Sequence, residues 1–159
     1  MRVGSALGLS FLLAGTLYAQ APKEQPSTDR YGVHLRLRTC PQGTPKEALE
    51  SALAAIDNGQ FDYLLAQLVD PDFVDKRVKD VYGGKFEELV KETTDKLDND
   101  PIAVKELRRF FKEGEWDIAD TTATVKLKDV KDRQVYLKKM GTRWYWENRQ
   151  KPEAAKPEP

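Results

Sequence analysis

The hydrophobic period of this chain changes once. Between residues 44 and 113 apolar side chains recur three or four positions apart; from 115 onward they alternate with polar ones, and Gly114 stands between the two regimes. A period near 3.6 buries one face of a helix, whereas a period of two buries one face of a strand, so the halves cannot exchange roles. Helices first and strands last predicts the α+β class, with N-terminal helices packed on the apolar face of a C-terminal antiparallel sheet.

The helical half is punctuated clearly. Thr44-Pro45-Lys46-Glu47 opens a helix: Thr44 caps an amide, Pro45 sits in the first turn and Glu47 closes a capping box. Ala48, Leu49, Ala52, Leu53, Ala55 and Ile56 form its apolar face, and Asn58-Gly59 supplies a left-handed stop. Phe61, Leu64, Leu65 and Leu68 make a short second helix that ends before Asp70-Pro71. Val74, Val78 and Val81, with Phe73 and Tyr82 beside them, fit a helix over 72–82. Gly83-Gly84 ends it, and Phe86, Leu89, Val90, Thr93 and Leu97 carry the next stripe. Asp100-Pro101 starts the last helix, with Ala103, Val104, Leu107, Phe110 and Phe111 on its apolar side.

In the strand half, Trp116 and Ile118, then Ala123, Val125 and Leu127, then Val135 and Leu137, then Trp144 and Trp146 alternate with polar neighbours. Turns are predicted at Asp120-Thr121, Lys131-Asp132 and Met140-Gly141-Thr142, giving a meander of three or four strands over 115–149. Val33, Leu35 and Leu37 also alternate with His34, Arg36 and Arg38, which predicts an edge strand added to that sheet.

The ends read differently. Residues 1–19 carry Arg2, no acid, an apolar run from Ala6 to Leu17 and small residues near Ala19 and Ala21, the pattern of a signal peptide cleaved after one of those alanines. The run is short of the ~20 residues a spanning helix needs, so no stable membrane insertion is expected after cleavage and the product is secreted or periplasmic. Residues 20–30 and 150–159 are rich in Pro, Glu, Lys and Gln and predict a flexible linker and tail around a single domain at 31–149.

Composition excludes several function classes. Lys and Arg number 26, as do Asp and Glu, so no bulk field holds nucleic acid. One His and one Cys leave too few ligands for a zinc site, and Cys40 has no partner for an intramolecular disulfide; a buried, inert thiol is expected ahead of an exposed reactive one or half of an intermolecular bridge. Asp62, Asp70, Asp72 and Asp75 lack the glycine and terminal glutamate of a calcium loop. Ser27 and Ser51 lack a nucleophile elbow, Gly83-Gly84 lacks the Lys-Ser/Thr of a phosphate loop, and His34 sits on the polar side of its segment. No cofactor or metal is expected. The aromatic residues are the remaining candidates: Trp144 and Trp146 on one strand face, with Trp116 on a neighbouring strand, either pack against the helices or line a ligand or partner surface. Tyr136 and Tyr145 fall on the opposite face as a candidate exposed pair.

The opening Thr44-Pro45-Lys46-Glu47-Ala48-Leu49, the Asn58-Gly59 before Phe61, and the closing Gly141-Thr142-Arg143-Trp144-Tyr145-Trp146 give an order of elements that resembles small exported members of the nuclear-transport-factor-2-like superfamily. The resemblance spans about 44–148 and departs from the family at 72–82, where members often place a strand or hairpin. It implies a sheet curved around the helices into a cone, whose mouth binds a small ligand or, in the isomerases and lyases of the superfamily, holds a catalytic acid or base; no residue here maps onto such a catalytic site. The expected function is an exported, non-catalytic module that binds a small hydrophobic ligand or a protein partner through Trp116, Tyr136, Trp144, Tyr145 and Trp146. A cone-fold isomerase or lyase and a structural or homodimerisation domain are the alternatives.

Overall fold

Five helices precede a four-stranded antiparallel sheet in the computed structural model, which describes residues 28–149; the predicted leader, its cleavage site and the tail at 150–159 lie outside these residues. The helices are α1 (Pro45–Asp57), α2 (Phe61–Tyr63), α3 (Pro71–Tyr82), α4 (Phe86–Asn99) and α5 (Pro101–Glu113). The Thr44 hydroxyl accepts the Glu47 N–H at 3.2 Å and the Glu47 carboxylate accepts the Thr44 N–H at 2.9 Å, so the capping box forms as expected. Asp70 caps α3 and Asp100 caps α5, each with a proline in the first turn, and Gly83 ends α3 in the left-handed region at φ 59°.

The second helix departs from expectation. After α2 the chain widens into a π-helical turn, Leu64–Leu68, all of it buried. Its i→i+5 bonding rotates the side chains out of α-helical phase, so the turn faces two ways at once. Leu64 and Leu65 point toward the helices, while the Gln67 amide donates to the Val33 carbonyl at 2.7 Å and to the Thr28 carbonyl at 3.2 Å.

The sheet has the order β3 (Glu115–Ile118), β4 (Thr122–Leu127), β5 (Val130–Met140), β6 (Arg143–Glu147). Val125 opposes Val135, Ala123 opposes Leu137 and Leu137 opposes Trp146, which places these apolar side chains on one face against α1 and α5. Gly114 permits the change of period: a Cβ there would lie 2.3 Å from the Phe110 carbonyl oxygen and 2.3 Å from Val125 Cγ1, so the end of α5 rests directly on β4.

Three sequence expectations need correction. The β4–β5 turn falls at Lys128-Asp129, not at Lys131-Asp132; pairing runs from Leu127–Val130 straight to Val125–Val135, so 131–134 bulge out of the ladder. The alternating segment after Tyr31 adds no strand to the sheet. Only β2 (Val33–His34) forms, paired with β1 (Asp29–Arg30) from the stretch expected to be linker. The outer edge of β6 is taken instead by other backbone: Trp144 N–H donates to the Gln42 carbonyl and Asp70 N–H to the Trp146 carbonyl, each at 2.9 Å. Tyr145, expected to be exposed with Tyr136, is fully buried, because the π turn and the segment before α1 cover that face of β6. Cys40 is buried, the first of the three states expected for it.

Candidate functional site

The inner face of β5 and β6 does not pack flush on α4 and α5. Two adjoining hollows lie between them, one of about 750 Å³ and one of about 440 Å³. Both fall within the range of about 300–1,000 Å³ common for small-ligand pockets. Ile56 of α1, Val104, Leu107 and Phe110 of α5 line the first; Leu64 and Leu65 of the π turn, Phe73 of α3 and Leu89 of α4 line the second. Leu97, Val135, Tyr136, Trp146 and Arg149 border both, so the two form one continuous groove with Trp146 in its wall.

The groove exists because of the β5 bulge. Residues 131–134 leave the ladder and form one lip of the first hollow, and the hairpin is held out by α5: Arg109 pairs with Asp129 at 2.8 Å and Arg133 with Glu106 at 2.5 Å. The opposite end is bordered by α3 and α4. There Glu92 accepts from Lys96, Arg77 and the Tyr82 hydroxyl. The Lys96 hydrogen bond, with the charges of Lys96 and Arg77, outweighs desolvation and lowers the Glu92 pKa from its ordinary value. Arg149 stacks over the Tyr136 ring at 4.5 Å and pairs with Glu147 at 3.0 Å.

The five aromatic candidates divide. Trp146 and Tyr136 border the groove. Trp144 is buried in the core, and Trp116 is half-buried on the edge strand β3, opposite Val125, with Lys46 over its ring at 5.6 Å. Tyr145 belongs to a separate buried polar layer on the other face of β6. There the Gln42 amide donates to the Gln67 and Trp144 carbonyls at 2.9 Å, and Arg143 approaches Gln67 Oε1 at 3.4 Å. Burial pushes the Tyr145 hydroxyl up to about 12 and pulls the Arg143 guanidinium down. Sequence reasoning missed Leu97, Glu92, Arg77 and Arg149 as neighbours of Trp146. The first three sat in ordinary amphipathic stripes and the last at the edge of the tail, so nothing local marked them.

Of the four acids considered for calcium, Asp62 lies exposed on α2 and the other three are paired with cations. Asp70 and Asp72 pair with Lys138 at 2.6 and 3.2 Å, and Asp75 pairs with Arg30 at 2.5 Å and accepts from the Tyr31 hydroxyl at 2.6 Å. His34 lies on the surface with its Nδ1 at 2.6 Å from Asp29. Among the described residues no group of three or more metal-ligating side chains converges, and no helix is long and apolar enough to cross a membrane. Compared with known proteins, the chain matches no family model, no curated protein and no solved structure.

Proposed function

We propose that this protein is an exported, non-catalytic binding module of nuclear-transport-factor-2-like design, in which the sheet curves over the helices as a cone and the groove beside Trp146 takes a small hydrophobic ligand. The observation that carries the reading is the groove itself: a hollow of about 750 Å³ lined by Ile56, Leu97, Val104, Leu107, Phe110 and Trp146, with its charged side chains drawn from α5, the 131–134 bulge and Arg149. Exposing such surface to water is unfavourable, and filling it with an apolar ligand recovers roughly 25 cal/mol per Å² covered. The apolar leader at 6–17 supports export.

The enzymatic alternative asks for a carboxylate beside a tyrosine at the groove, and Glu92 with Tyr82 is the pair that answers the description. Its electrostatics favour a structural ion-pair hub. Two cations and a hydroxyl occupy the carboxylate, and its lowered pKa makes it a weak proton acceptor. Homodimerisation through the free edge of the sheet is disfavoured by Glu115 and Asp117 on β3, each of which would face the other's copy across an antiparallel junction centred on Trp116.

The test is a titration with Nile red, an uncharged apolar fluorophore. Saturable, blue-shifted emission is expected from the wild type, weakened by Trp146→Ala and abolished by Ala103→Trp, which puts an indole into the first hollow. Unsaturable or absent binding in a folded wild-type sample would overturn the proposal.

A further inference from the structure

Resting on the groove reading above, we infer that the ligand is a long-chain carboxylate, with its hydrocarbon chain in the two joined hollows and its head group at the α3–α4 mouth. The lining decides the body of the ligand. Leu64, Leu89, Leu97, Val104, Leu107 and Trp146 offer no hydrogen-bond donor or acceptor apart from the Trp146 indole N–H, and the uncharged polar side chains beside them are the exposed Gln134 and Asn148 and the half-buried Thr93 and Tyr136. A sugar or nucleotide placed there would lose its hydration without replacement, at a cost of about 1–3 kcal/mol for each unsatisfied polar group. Two hollows sharing one wall suit an extended chain better than a compact ring system.

The mouth decides the head group. Arg77 and Lys96 converge on the single carboxylate of Glu92, so two positive charges share one negative charge and a net cation remains. The Lys96 ammonium is 67% exposed and free to turn toward a second carboxylate. The lip of the first hollow lacks such an excess: Arg133 is matched by Glu106 and Lys131 stands next to Asp132, while Arg149, which borders both hollows, is matched by Glu147 of the second. With each ion pair counted as neutral, the charged lining balances around the first hollow and keeps one cation in excess at the second. That asymmetry gives an amphiphile one preferred direction of entry.

Calorimetric titration with oleate, and with oleyl alcohol as the uncharged control of equal chain length, both below their aggregation concentrations, tests the inference. Oleate is expected to bind at one site and more tightly than the alcohol. Lys96→Gln should weaken oleate roughly fivefold while leaving the alcohol unchanged, as expected for one screened surface charge. Arg77→Gln should act in the same direction, and circular dichroism of both variants checks that they fold. Ala103→Trp should remove both ligands. Equal affinity for oleate and alcohol, untouched by Lys96→Gln and Arg77→Gln, would overturn the head-group assignment while leaving the hydrophobic groove standing. Oleate binding that survives Ala103→Trp would place the ligand elsewhere on the surface and overturn the inference. Failure of the wild type to bind either compound, with Nile red still bound, would exclude long chains; failure of all three would remove the binding function itself.

Discussion

Tyr63 and Tyr145 are both fully buried, yet their hydroxyls have opposite standing. The Tyr63 oxygen accepts the Arg36 N–H at 3.1 Å, tying the segment before α1 to the helical layer. The Tyr145 hydroxyl has no hydrogen-bond partner among the described residues. A satisfied buried hydroxyl adds stability and an orphaned one subtracts it, each by about 1 kcal/mol. Tyr63→Phe should therefore lower the free energy of urea unfolding by about that amount, and Tyr145→Phe should raise it. A loss of stability in Tyr145→Phe would instead show that an internal water bridges the hydroxyl to a neighbour. Gly114 is the other residue on which much depends. Gly114→Ala would drive a methyl into both a backbone carbonyl and the Val125 side chain, and the expected drop is about 2 kcal/mol or more, read as a lower thermal midpoint.

At the scale of elements, the joint between β5 and the π turn is secured by a buried ion pair. The Lys138 ammonium lies 2.6 Å from Asp70, whose side chain is 9% exposed and which also caps α3. Burial alone would lower the Lys138 pKa; the two carboxylates, Asp70 first, outweigh it and raise it above the ordinary 10.5. Lys138→Met removes the cation and leaves Asp70 buried and charged, which should cost about 3 kcal/mol in urea unfolding. Adding Asp70→Asn, which keeps a capping oxygen, should restore part of that loss, and a double mutant no better than the single would contradict the pairing. The β4–β5 hairpin presents the opposite case. Arg109–Asp129 and Arg133–Glu106 are surface pairs, so their removal should hardly change global stability, but it should let residues 131–134 relax and weaken Nile red binding.

For the whole molecule, several shifts point the same way. Tyr31 and Tyr145 are raised to about 12 from 10.0, Tyr63 is raised as well, and Lys138 is raised above 10.5. Each of these groups holds its proton more tightly in the folded chain than in the unfolded one. Their contribution is complete below pH 10 and is lost as pH rises through the folded values, so stability should stay level from neutral pH to about 10 and fall steeply between 10 and 12. Urea midpoints collected from pH 7 to 12 check this. In Tyr145→Phe, which removes one titrating group, the alkaline slope should be shallower.

Local signals determined the class, the order of elements and most of their boundaries. Thr44 with Glu47, Asp100 with Pro101, and the alternation of Ala123, Val125 and Leu127 each act through neighbours a few residues away, where propensity and periodicity carry information. The tertiary structure alone decided what happens where distant segments meet. The widening of Leu64–Leu68 into a π turn follows from straddling the edge of β6, with leucines on one side and Gln67 on the other. The burial of Tyr145, the closure of the β6 edge by Gln42 and Asp70, and the convergence of Leu97, Arg77 and Lys96 on the groove beside Trp146 depend on contacts spanning much of the chain. Alternation in a sequence says which side chains share a face of a strand. It says nothing of what covers each face, because the covering segment is chosen by packing and by the demand that buried backbone groups find partners.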